Sequence, residues 1–204
     1  MADWTASSGS KIRPYRNYRA PTIRTFEEST AASTATIALG DVLTFDTVVA
    51  TASHRVLRAP SSAGTGTNLM EVDITSLLGV ALQASTSDGG VTGLTSNGLS
   101  IQSQSRQISV CLATGDQEFI GYASTMAPAS SAANLALIGR AAPLIFDRTN
   151  KVFTVGTANA TAALAAVQIT EIQQHVLGDS GAYPVVFKFL STNLSPVVPG
   201  FASQ

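Results

Sequence analysis

Cysteine is almost absent from this chain of 204 residues. The single Cys111 has no partner for an internal disulfide, and its seat in an alternating apolar segment marks it as a buried free thiol. Charge is scarce too. Asp, Glu, Lys and Arg make up 12% of the residues, while Ser, Thr, Ala and Gly are abundant. Such a surface is neutral and hydroxyl-rich, and it sets up little repulsion between neighbouring copies, which suits a protein that packs into a large assembly. Long hydrophobic runs are missing: no stretch approaches the length of a membrane-spanning helix, and the N-terminus has no apolar leader core. The chain is therefore expected to involve no membrane and to be made and assembled in a cytoplasm. Hydrophobic residues, at 45%, still suffice for one good-sized core.

The residues that carry chemistry are equally thin. The two histidines, His54 and His175, lie far apart and neither has a partner at a metal-ligand spacing. Neither a Gly-x-Gly-x-x-Gly nor a Gly-Lys-Thr phosphate loop occurs, so no metal and no cofactor is expected. The sharpest catalytic lure is Gly178-Asp179-Ser180-Gly181, which resembles the nucleophile segment of trypsin-like serine proteases, with His54 in Thr51-Ala52-Ser53-His54 as the base and Asp88 or Asp116 as the orienting acid. Ala182 and Tyr183 depart from the Gly-Pro continuation of that family, and the same four residues make an ordinary hairpin turn. The chain is read as a non-enzyme, with the protease as the alternative. The paired acids Glu27 and Glu28 read as solvated linker residues.

What the chain does contain is β-pattern. Residues 76–121 organise it: Leu77-Leu78-Gly79-Val80-Ala81-Leu82 is a continuous apolar core strand, and Ile108, Val110 and Leu112 alternate with Ser109, Cys111 and Ala113. A repeated phrase, a Gly-Asp turn followed by a short strand, occurs at Gly40-Asp41 and Gly115-Asp116. Further strands are predicted near residues 41–50, 70–74, 119–122, 167–172 and 184–190. A hairpin is expected from Pro143-Leu144-Ile145-Phe146 through a turn at residues 147–150 to Val152-Phe153-Thr154-Val155. Alanine-rich residues 159–166 are the one place for a short helix. Residues 85–104 and 123–134 read as surface excursions suited to contacts. The fold class is all-β, a small β-barrel or sandwich with an extended N-terminal arm.

That arm, with its linker, is assigned to residues 1–30 and the β-domain to residues 31–204. Lys11, Arg13, Arg16, Arg19 and Arg24 face one acid, Asp3, before residue 26, whereas the rest of the chain carries seven basic and twelve acidic residues. Pro14 and Pro21 disfavour a helix, and Tyr15 and Tyr18 interleave with the arginines, so the arm reads as a strap laid over a partner surface through Arg13, Tyr15, Arg16, Tyr18, Arg19, Ile23 and Arg24. Basic and aromatic residues in alternation also fit nucleic acid, but the acidic body speaks against it and no direct nucleic-acid contact is expected. The body is expected to keep its own core without the strap.

Taken together, Gly40-Asp41-Val42-Leu43-Thr44-Phe45, Leu78-Gly79-Val80-Ala81-Leu82, the strand from Ile108 to Leu112 followed by Gly115, and the last strand pair after alanine-rich residues 158–166 resemble the decoration or cement proteins of tailed-bacteriophage heads. The resemblance covers about residues 38–190. It implies a compact β-barrel or sandwich, no enzymatic activity, the major capsid protein as partner, and a place on the capsid exterior of the virion, bridging capsomers against the pressure of packaged DNA. Many such proteins are homotrimers or other homo-oligomers. Another virion part, such as a head fibre or tail subunit, is the remaining alternative.

Overall fold

The computed structural model describes residues 11–17, 20–28, 37–46, 55–59, 61–62, 69–72, 76–84, 107–124, 128–157, 165–173, 177–178 and 183–194. Within them the chain is mainly β, built around a closed five-stranded barrel. Its strands are β2 (Ile23–Glu28), β3 (Val42–Phe45), β4 (Arg55–Arg58), β7 (Leu77–Ala81) and β8 (Gln107–Leu112), in the order β2-β4-β3-β7-β8. Neighbours run antiparallel except β2 and β4, which close the barrel in parallel with Glu27 opposite Arg55.

Two sheets pack beside the barrel. One is five-stranded, in the order β1-β9-β14-β13-β10, from β1 (Arg13–Asn17), β9 (Gln117–Tyr122), β10 (Ala141–Ala142), β13 (Val167–Ile172) and β14 (Pro184–Phe189). The other, β12-β11-β6-β5, joins β5 (Ser61–Ser62), β6 (Leu69–Val72), β11 (Leu144–Asp147) and β12 (Val152–Val155). The expected hairpin is β11–β12, with Asp147 opposite Val152. The Asp147 carboxylate accepts from the backbone N–H groups of Thr149 and Asn150 and from the Asn150 amide, which fixes the turn. The two sheets meet where Ala123 bridges Val155.

The core has two compartments with a common wall. Phe26, Leu43, Phe45, Val56, Leu78, Ile108, Val110 and Leu112 fill the barrel. Val42, Leu77, Val80 and Cys111, on the other face of β3, β7 and β8, pack with Phe119, Leu144, Phe153, Val185, Phe187 and Phe189 from the sheets. Burial on both faces explains why residues 77–81 are apolar without a break. The alternation expected for β8 holds, with Cys111 a free thiol at 0% exposure on the wall's outer side. Burial pushes its thiol up to about 11.

The segment read as an arm is sewn into this body. Ile12 is buried in the larger core, and β1 pairs with β9. Phe26, assigned to the linker, is inside the barrel, its ring edge-on to Phe45 with centroids 5.8 Å apart. Glu27 is not a freely solvated linker acid either, because it accepts a hydrogen bond from Arg55 Nε at 3.4 Å. The described part of residues 1–30 thus contributes strands to the barrel and to the five-stranded sheet. Among the described residues an α-helix forms at α1 (Ser131–Leu135), where the Ser130 hydroxyl accepts from the Ala133 N–H as N-cap, overlapping the end of one of the excursions. Residues 159–164 and 85–104 lie outside the described residues.

Candidate functional site

The outward face of the five-stranded sheet gathers most of the described polar side chains of the segment read as a strap. Cross-strand register arranges it in rows. Arg13, Ile120, Val186 and Glu171 follow one another across β1, β9, β14 and β13. Beside that row lies a second, Tyr122 with Pro184, continued by Gln173, whose N–H donates to the Pro184 carbonyl at 3.2 Å. On the other side Arg16 lies opposite Glu118 across β1 and β9, and Lys188 opposite Gln168 across β14 and β13. Phe119, Phe187 and Phe189 back this face from within, with ring centroids 5.2–6.2 Å apart.

Register slips by one residue on both flanking strands, at Tyr15 in β1 and at Thr170 in β13. A bulge re-aims the side chains beyond it. In β1 it leaves the consecutive Tyr15 and Arg16 both exposed, which regular alternation forbids. Arg16 then reaches across the sheet. Its Nε donates to Glu118 Oε2 at 2.7 Å and its Nη2 to Glu171 Oε2, and these bonds, Glu118 first, hold the guanidinium above its ordinary pKa. Tyr15 accepts at its hydroxyl from Gln173 Nε2 at 2.7 Å and lies under the Arg16 guanidinium, 4.8 Å from the ring centroid.

Between the first two rows lies an open groove of about 420 Å³. Lys11 and Arg13 stand at one side, Glu171 and Gln173 at the other, with Ile120, Tyr122 and Pro184 between. Burial raises the Tyr122 phenol above its usual pKa, against the opposing positive charge of Arg13. Neither Lys11 nor Arg13 forms an ion pair among the described residues.

Of the seven strap residues, Arg13, Tyr15 and Arg16 are brought together here. Ile23 and Arg24 are exposed on β2 of the barrel, opposite Cys111 and Val110, a separate place. Tyr18 and Arg19 lie outside the described residues, as do His54, His175, Asp88 and Ser180; of the residues nominated for a triad, Asp116 alone is described, exposed in the turn before β9. Sequence reasoning missed Tyr122, Glu171, Gln173 and Pro184, which lie in or next to segments read simply as strands. The available signal was the polar half of their alternation.

No family model, curated protein or solved structure matches this chain.

Proposed function

We propose that this chain is a structural, non-enzymatic virion protein that docks on the exterior of an icosahedral phage head and ties its capsomers together. The observation that carries the reading is the polar face of β1: Arg13, Tyr15 and Arg16 stand exposed on a broad, aromatic-backed sheet, in a chain otherwise poor in charge. A rigid face with a few cations and an amphipathic tyrosine is built for a flat protein partner. The strand ladders offer less. The barrel is closed, β5 and β10 have two residues each, and the edge strand β1 is blunted by Pro14 and a bulge. Contact through faces, with the major capsid protein and with further copies of the chain as a homotrimer or other homo-oligomer, fits that arrangement.

The test is co-sedimentation of purified protein with emptied heads at low and high salt, together with imaging of the labelled protein on particles. Saturable attachment to the head exterior, weakened by salt, is the expected result. Attachment only to tails or fibres, or none, removes the reading.

A further inference from the structure

We infer that the groove on the five-stranded sheet seats an extended peptide segment of the docking partner, with a carboxylate on Arg13 and Lys11 and an apolar neighbour against Ile120, Tyr122 and Pro184. The inference narrows the head-docking reading to one site and rests on it. The charge pattern selects the occupant. Glu171, the acid of the groove, shares the single charge of Arg16 with Glu118, so its own charge is only partly offset. Among the described residues Arg13 and Lys11 form no ion pair, Lys11 acting at longer range on the buried Asp41. The groove is therefore positive on the β1 side and mildly acidic on the other, a complement for one isolated acid rather than a row of them. A nucleic-acid backbone, with a phosphate at each step, would press its next charges against Glu118 and Glu171. The floor argues the same way, since half-buried Tyr122 and Pro184 give an apolar side chain something to cover, and about 420 Å³ holds a pair of side chains. The groove also keeps its shape. Its strands are backed by the Phe119, Phe187 and Phe189 cluster, and Gln173 is tied to Tyr15.

The experiment is a two-dimensional amide NMR titration of the full chain, at low and high salt, with four probes: a capped hexapeptide alternating Glu and Leu, its Lys-for-Glu counterpart, capped glutamate alone, and inorganic phosphate with a short single-stranded oligonucleotide. The expected result is saturable shifts centred on Arg13, Ile120, Tyr122 and Gln173 with the acidic peptide only, reduced about tenfold in affinity by Arg13→Glu and less by Arg13→Gln. The exposed position of Arg13 lets both variants fold, which the unperturbed remainder of each spectrum verifies. Shifts elsewhere or none, equal binding of capped glutamate, or phosphate or oligonucleotide binding at the same residues overturns the inference. Attachment of Arg13→Glu to heads separates the two levels. If the groove binds peptide but the wild type ignores heads, only the docking reading falls; if heads bind both proteins equally and the peptide shifts nothing, only the groove falls.

Discussion

Asp41 sits 2% exposed at the start of β3, its carboxylate accepting the Ala38 N–H at 2.8 Å and facing the charges of Arg58 and Lys11. Burial outweighs those three and lifts its pKa from 3.8 to about 6. The native state thus binds a proton more tightly than the unfolded chain. The stability this contributes is full below about pH 4 and is lost as pH rises through about 6, a change on the order of 3 kcal/mol at most. Asp41→Asn keeps an acceptor for Ala38 and has no charge to titrate. Urea midpoints measured between pH 4 and 7 should therefore fall for the wild type relative to this variant, and parallel curves would show that Arg58 and Lys11 already compensate the charge. Gly40, beside it, has φ +85°, and a Cβ there would meet Lys11 Cβ at 2.6 Å and the Ile12 carbonyl at 2.8 Å. The Gly-Asp phrase is the place where the N-terminal segment crosses the barrel.

Among the elements, β7 lies against β8 at Gly79, where a Cβ would lie 2.1 Å from the Cys111 carbonyl oxygen. Gly79→Ala must push two wall strands apart and is expected to cost about 3 kcal/mol or more, lowering the melting temperature by about 10 °C. Gly115→Ala, with nothing within 4 Å of its Cβ, should change stability by less than about 0.5 kcal/mol. Equal melting temperatures for the two would mean that the ladder yields easily. Elements of this kind were legible in the sequence: the alternation of β8, the unbroken run of β7 and the Asp147 turn each follow from short-range periodicity or turn chemistry. β1 and β2 were not. Their partners, β9 and β8, lie far along the chain, and bulged Arg-Pro-Tyr-Arg masks the period that announces a strand. The site was half legible for the same reason, since Arg13, Tyr15 and Arg16 stand out as charge among neutral residues, whereas Tyr122 and Glu171 join them only through register.

At the scale of the whole molecule, the N-terminal segment is a structural part rather than an appendage. Removing residues 1–28 takes Ile12 from one core, Phe26 from the other and a stave from the barrel. Such a truncated protein is expected to lose its cooperative thermal transition and its β-type circular dichroism, well beyond any loss of docking. A sharp transition retained after truncation would mean that four strands re-close without β2.

Pairing Phe26 with Ile108, and Pro14 with Phe119, also fixes a schedule for biosynthesis. The ribosome releases β2 long before β8, and β14, which sits between β9 and β13 at the centre of its sheet, later still. A nascent chain cut off before residue 184 holds two half-sheets with a gap between them: Phe26 stays uncovered until β8 emerges near mid-chain, and β9 keeps an unpaired edge until nearly the end of translation. Copies made side by side on one message would meet in that waiting state, where an edge from one chain competes with the proper edge from its own. The shortage of charge that suits crowded packing in the finished protein leaves little to keep such half-made neighbours apart.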